Sequence, residues 1–250
     1  MERVIFFDPS CPAALQTAVG ANWEFQNQNA EQRALDYVNE LGRGGDEIAR
    51  KLVNGKTTTG WQFLSKHATG NVIAPPASGQ AFAFPAGAVI GGYHIDSVEI
   101  VWDRGQLAPK MTITGHAHDG VAGGHNECRT YSPTVTIPAT TFGVPADLGG
   151  VALSEDAEVD FRGATYRLAC SHIDETGRAG AQLKGDNHDG VETLSVEFTG
   201  APTADDYDVG DGWSSTGAGK TPSNTGVTTG SLELVHHIAA DVPVEPEEEE

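Results

Sequence analysis

Two long runs of alternating apolar and polar residues constrain the fold of this chain more than any other feature. One run covers residues 92–118 and contains a polar turn at 103–108, and the other covers residues 164–198. Successive side chains of a strand point to opposite faces, so this alternation is typical of antiparallel hairpins with one buried face. We therefore predict a mainly β protein with an antiparallel β-sandwich or barrel-like core.

The N-terminal part of the chain has a different, helical pattern. Residues 29–41 place apolar side chains at helical spacing behind Asn29, a favoured N-cap, and residues 46–53 show a shorter pattern of the same kind. The sequence thus predicts an N-terminal arm and small helical region at 1–80, a β-sandwich domain at 81–240 and a disordered acidic tail at 241–250. The tail should be disordered because it has little to bury and its glutamates repel one another.

The charge of the chain restricts its partners. The formal net charge is −20, from 35 acidic and 15 basic residues. Electrostatic binding to nucleic acid or to an anionic membrane surface needs lysine and arginine close to phosphates. The composition therefore excludes general binding of this kind and allows DNA only as a cargo that does not adhere. The same acidity also fits a salt-adapted source.

Cysteine usage and hydropathy exclude further classes. The chain has 3 widely spaced cysteines and no CxxC motif, which predicts neither a disulfide framework nor a structural zinc site. A reducing compartment is expected. No stretch of the sequence approaches the roughly 18 apolar residues of a membrane-spanning helix, so we expect no membrane partner.

The strongest enzyme signal is the sequence His116-Ala117-His118-Asp119. Two histidines at positions i and i+2 of a strand share a face, and neutral imidazoles are good ligands for transition metals. The His-x-His pattern also resembles the start of metal-dependent amidohydrolases, but those enzymes need a (β/α)₈ barrel that this pattern of elements does not build. We predict no catalytic, cofactor or metal residues, with His116, His118 and Asp119 as the candidates if a metal binds. The alternative is two solvent-facing or inter-subunit histidines.

Two other segments imitate known sites. Residues 186–190 (DNHDG) have oxygen ligands for calcium but not the spacing of an EF-hand, so a polar turn is the simpler interpretation. Residues 217–221 (GAGKT) imitate the end of a phosphate-binding loop, but the first glycine of that motif is replaced by Ser214. We predict neither a calcium site nor a phosphate site.

A short echo links the two alternating runs. The sequence His-Ile-Asp occurs at 94–96 and at 172–174, and His-Asp-Gly follows at 118–120 and at 188–190. The spacing is not kept. The echo therefore indicates either a duplicated β unit or a coincidence.

The region from Tyr93 to Phe198 resembles the tail tube proteins of long-tailed bacteriophages. The resemblance covers roughly residues 80–240, and the first 80 residues depart from the family pattern. The segments that carry it are GYHIDSVEIVW, PKMTITGHAH, PTVTIPATTFGVP and VETLSVEFTGAP. It implies a β-sandwich core that packs with its copies in a ring, usually of six. Inner strands would join into a continuous barrel, and long loops and terminal arms would contact the next ring.

The resemblance implies a non-enzymatic virion protein without a cofactor, assembled in the host cytoplasm. Its expected partners are further copies of itself in stacked rings, other tail proteins, and DNA as a non-adhering cargo. The expected interface elements are the 103–108 turn, the 201–229 loop and the terminal arms. Three alternatives stay open: a capsid decoration or other head or tail protein, a glycan-binding module, and a metal-dependent hydrolase using His116, His118 and Asp119. The glycan-binding module would stack a sugar on Trp61, Trp102 or Trp213.

Overall fold

The structure is a computed structural model that describes most of the chain. The described residues are 10–21, 23–29, 32–41, 43, 47–65, 81–82, 84–103, 109–118, 128–134, 137–138, 151–153, 160–176, 182–200, 203, 207–221 and 228–241.

These residues form one short helix and fourteen strands. The elements, in chain order, are α1 (Ala13–Val19), β1 (Trp23–Gln28), β2 (Gln32–Leu41), β3 (Glu47–Ser65), β4 (Ala81–Phe82), β5 (Val89–Ile90), β6 (Tyr93–Asp103), β7 (Lys110–His118), β8 (Ile137–Pro138), β9 (Val151–Leu153), β10 (Asp160–Thr176), β11 (Gln182–Thr199), β12 (Tyr207–Val209), β13 (Ser214–Thr221) and β14 (Thr229–Ile238). The one helix of the described residues lacks the length and apolarity needed to span a membrane.

Ten of the strands form one antiparallel sheet. Its path is β1-β3-β7-β6-β10-β11-β14-β13, with β2 also paired to β3 and β5 paired to β6. Two small sheets, β9 with β12 and β4 with β8, complete the set. The predicted mainly β, antiparallel fold is confirmed, and the main sheet is open.

The apolar face of this sheet forms the core. Its side chains are those that the alternation predicts to be buried, and each is at most 2% exposed: Val98, Ile100 and Trp102 on β6, Met111 and Ile113 on β7, Tyr166 and Leu168 on β10, Leu194, Val196 and Phe198 on β11, and Leu232 and Leu234 on β14. Each such side chain contributes about 1.5–3 kcal/mol by leaving water. Period-two patterning therefore determines which face of each strand is buried.

The helices predicted at 29–41 and 46–53 are wrong. Residues 32–41 are strand β2, and residues 47–53 are the first part of the 19-residue strand β3. The helix lies instead at Ala13–Val19, between Pro12 and Gly20, where Gly20 has a φ of 90°. Weak helical spacing was overridden by pairing, because β3 continues into a register with β7 from Lys56 to Leu64. Strands β1 and β3 thus belong to the sheet that was predicted to begin after residue 80.

The long connection predicted at 201–229 is wrong in part. It contains β12 and β13, and β13 pairs with β14 from Ser214 to Thr221. The β13 segment is rich in glycine and serine, and it forms an edge strand instead of a loop. A strand pairs through its backbone, so these small side chains need no core to pack against. Residues 104–108 of the predicted turn and residues 242–250 of the predicted acidic tail lie outside the described residues.

Two hairpins extend past the sheet as two-stranded ribbons. In the first, residues 35–41 of β2 and 47–55 of β3 pair only with each other among the described residues. In the second, the ladder of β10 with β6 stops at Ala169, whereas β10 and β11 pair on to Thr176. An isolated two-stranded ribbon is marginally stable in water.

Candidate metal centre

Three histidines from three strands of the sheet meet at one point. His94 on β6 and His116 on β7 are direct cross-strand partners. His172 on β10 completes the triangle, with ring centroids 4.2 Å from His94 and 4.8 Å from His116, and the first two rings are 4.7 Å apart. One ring nitrogen from each histidine lies within 4.8 Å of those of the other two. Three converging imidazoles match the protein ligands of some zinc sites.

Irregular pairing of the strands explains why the histidines converge. The register shifts between Ile95 and Ser97 in the β6–β7 ladder, and between Ala169 and Ser171 in the β10–β11 ladder. The ladder between β6 and β10 ends at the pair of Ser97 and Ala169, and the two strands are no longer paired beyond it. Bulges re-aim side chains and end pairing, and these two register shifts lie beside His94 and His172.

A single carboxylate orients two of the rings. Oδ1 of Asp96, the residue at the bulge, lies 2.7 Å from Nδ1 of His116 and 3.3 Å from Nδ1 of His94. A carboxylate only accepts hydrogen bonds, so both Nδ1 atoms donate. In neutral imidazoles this places the proton on Nδ1 and the lone pair on Nε2.

An amide orients the third ring. Nδ2 of Asn187 donates to the carbonyl oxygens of Gly87 and Arg129, which fixes the amide so that its Oδ1 lies 2.9 Å from Nδ1 of His172. The oxygen can only accept, so His172 also donates from Nδ1 and carries its lone pair on Nε2. All three rings therefore share one tautomer.

The electrostatics of the site keep the carboxylate charged and His116 neutral. Burial raises the pKa of the Asp96 carboxyl, but hydrogen bonds from His116 and His94 outweigh it and hold the pKa well below its usual value. Burial lowers the pKa of His116, and the opposing hydrogen bond to Asp96 does not fully compensate. A neutral imidazole that donates to a charged carboxylate is the usual state of a metal-binding histidine.

Two chain segments cover the histidines. Residues 84–88 are tied to β6 by hydrogen bonds between Gly87 N and Ile95 O (2.8 Å) and between Ile95 N and Ala88 O (2.9 Å). Residues 128–131 join them through a bridge between Ala86 and Tyr131. His94 and His116 are fully buried, whereas His172 is half-buried.

Gly87 allows this cover to close over Asn187. Its φ is +85°, and a Cβ there would lie 2.5 Å from both Arg129 O and Asn187 Nδ2. Gly92 has the same φ but nothing within 4 Å of an added Cβ. An alanine at Gly92 therefore carries only the cost of a left-handed backbone, whereas an alanine at Gly87 adds the cost of a steric clash.

We expect Gly92→Ala to lower the free energy of unfolding by about 1–2 kcal/mol, the usual cost of a left-handed alanine. Gly87→Ala should cost about 2 kcal/mol more, since overpacking adds to the backbone term. Urea unfolding of both variants measures the difference. Equal losses in the two variants would contradict the close approach of Gly87 to Asn187.

A second polar cluster lies under the end of β14. Glu192 on β11 is fully buried. Its Oε1 accepts hydrogen bonds from Tyr166 Oη (2.6 Å) and Thr134 N (2.8 Å), and its Oε2 accepts one from the Thr134 hydroxyl and lies 2.9 Å from His236 Nδ1. Burial, and then the charge of Glu192, raise the pKa of Tyr166 far above its usual value. Two of the four donors around this carboxylate belong to Thr134, so Glu192 ties the end of the 128–134 segment to the sheet.

The structure places the predicted metal candidates only in part. His116 belongs to the histidine cluster, in which its described partners are His94 and His172. The side chain of His118 and the whole of Asp119 lie outside the described residues. The missed histidines do carry a signal, because both begin the His-Ile-Asp echo. Both copies of the His-Ile-Asp sequence lie in a strand next to a register shift.

The structure also places the other residues that the sequence suggested for a sugar, calcium or phosphate site. Trp61, Trp102 and Trp213 are 0%, 2% and 8% exposed, so these rings are core residues without an open face for a sugar. Residues 186–190 lie in β11, where Asp189 takes a positive φ of 54°, and residues 217–221 lie in β13. Burial, with smaller contributions from Asp96 and Cys128, raises the pKa of Cys170 to about 12, so this thiol stays protonated beside the cluster.

Comparison with protein-family models and with curated proteins found no match to this chain.

Proposed function

We propose that this chain is a non-enzymatic structural subunit of a virion, of the phage tail tube type, that assembles into stacked homo-oligomeric rings. The observation that carries this proposal is the exposed outer edge of the sheet at β13. Among the described residues, β13 pairs only with β14, and seven of its eight residues are exposed. Open edges are hazards for monomers, and assembly removes them.

The two ends of the sheet support a head-to-tail arrangement. The sheet path begins at β1, beside β2, and ends at β13, so its two edges have different strands and different sequences. Pairing of one edge with the other edge of the next copy is a heterologous contact, which closes into a ring when the rotation permits. β13 lies inside the 201–229 segment that the sequence predicts as an interface element.

The ribbons provide the contacts between rings that such an assembly requires. The 35–55 ribbon has no strand beside it among the described residues, and ribbons of this kind gain stability when a partner covers them. On the second ribbon, Ile173 is 55% exposed, which is large for an apolar side chain on a paired strand. Both features suit contacts with neighbouring subunits.

The charge of the chain suits a channel for DNA. A wall that carries negative charge repels phosphates, so the polymer passes without binding. With a net charge of −20, each copy also repels its neighbours, and assembly should strengthen with ionic strength because salt screens this repulsion.

Negative-stain electron microscopy with light scattering on the full chain tests the proposal. We expect rings or tubes whose population rises with protein and salt concentration. Tubes distinguish a tail tube subunit from a capsid decoration protein, which would form small closed oligomers without stacking. A protein that stays monomeric at high concentration and high salt would refute the proposal.

A further inference from the structure

The geometry points to a further site: we propose that His94, His116 and His172 bind one transition metal ion through their Nε2 atoms. Each ring has its Nδ1 hydrogen-bonded to a fixed oxygen acceptor, Oδ1 of Asp96 for two rings and Oδ1 of Asn187 for the third. The three Nε2 lone pairs are therefore the donor atoms of the cluster. This site is independent of the assembly proposed above.

The size of the cluster fits a metal ion. Zinc–nitrogen bonds of about 2.0–2.1 Å in a tetrahedron place ligand nitrogens about 3.3 Å apart. One ring nitrogen of each histidine lies within 4.8 Å of those of the other two, so the rings would move closer together to hold a single ion. His172 is the half-buried ring of the three, and it lies beyond the last β6–β10 pair.

The oxygens behind the rings are those that metal-binding histidines use. Such histidines usually donate their second ring N–H to a carboxylate or a carbonyl-type oxygen, which fixes the tautomer and makes the ligand more basic. Asp96 and Asn187 fill that role, and Asn187 is itself fixed by the carbonyls of Gly87 and Arg129.

The ligand type selects the ion. Imidazole suits zinc, copper, nickel and cobalt, whereas magnesium and calcium prefer oxygen ligands. Three protein ligands leave one position of a tetrahedron for water or another small ligand. The ion would join β6, β7 and β10 at the point where β6 and β10 separate, so we expect bound metal to stabilise the base of the second ribbon.

Metal titration of the full chain, after removal of metal with a chelator, tests this site. We expect one Zn²⁺ per chain by calorimetry, and one Co²⁺ with the intense visible absorption of a tetrahedral site. His172→Ala should weaken binding at least about 100-fold, and Asp96→Asn about 10–100-fold, the usual effect of losing an outer hydrogen-bond acceptor. His237→Ala, which removes an exposed histidine of β14, is the matched control and should bind as the unmodified chain does.

Two further readouts keep the test decisive. The metal-free His172→Ala protein should retain the circular dichroism of the unmodified chain, and added Zn²⁺ should raise Tm for the unmodified chain and not for this variant. Absence of Zn²⁺, Co²⁺, Ni²⁺ and Cu²⁺ binding would overturn the proposal. So would binding that survives His172→Ala, because the ion would then be held elsewhere, for example by the C-terminal glutamates.

Discussion

Glu192→Ala should lower the free energy of unfolding by about 3–5 kcal/mol, one of the two largest effects that this structure predicts. Breaking a buried charged network by removing one member costs this much because its partners stay buried without their acceptor. Tyr166 Oη, the backbone N–H and hydroxyl of Thr134, and His236 Nδ1 all lose the same carboxylate. Chemical denaturation, monitored by circular dichroism, measures the loss.

Two further variants separate the network from simple side-chain loss. In Glu192→Gln the amide oxygen can still accept from Tyr166 and Thr134 N, and the amide nitrogen can donate to the Thr134 hydroxyl and to His236. The loss should therefore fall to about 1–2 kcal/mol, the value of exchanging charge-assisted hydrogen bonds for neutral ones. Glu197→Ala removes an exposed carboxylate from the same strand and should change stability by less than about 0.5 kcal/mol. Equal losses for Glu192→Ala and Glu197→Ala would contradict the network.

The alternating pattern predicted the core well because burial acts on each strand separately. Val98, Ile100 and Trp102 alternate on β6, and each of them is buried in the structure. Pattern reasoning failed for residues 29–41, where Ala34, Leu35, Val38 and Leu41 recur at helical spacing although residues 32–41 form a strand. Pairing with β3, and of β3 with β7, decided the outcome, and the sequence of residues 29–41 alone does not contain that information.

The histidine cluster was only partly accessible to sequence reasoning. His116 was identified from its spacing to His118, a relation within one strand. The cluster depends instead on relations between strands: the register that makes His94 the partner of His116, and the bulges that let β10 bring in His172. Register shifts are set by local backbone geometry and not by side-chain periodicity. The repeated His-Ile-Asp sequence was the one local sign of them.

The exposed edge at β13 can be blocked with single prolines. Successive residues of a strand point their N–H groups to opposite edges. Of Gly217 and Ala218, which pair with Glu233 and Leu232, one therefore donates towards β14 and the other points away from the sheet. Proline is tolerated on an edge strand where its missing N–H faces solvent, and it removes a ladder hydrogen bond at the other position.

We therefore expect Gly217→Pro and Ala218→Pro to separate assembly from folding. One variant should keep the Tm of the unmodified chain and lose rings or tubes, because the neighbouring copy can no longer pair along β13. The other should unfold at a lower temperature, since β13 itself detaches from β14 more easily. Light scattering and electron microscopy report assembly, and calorimetry reports folding of the same samples. If both prolines leave assembly intact, β13 is not the contact between subunits, and closure of the open sheet must use another surface.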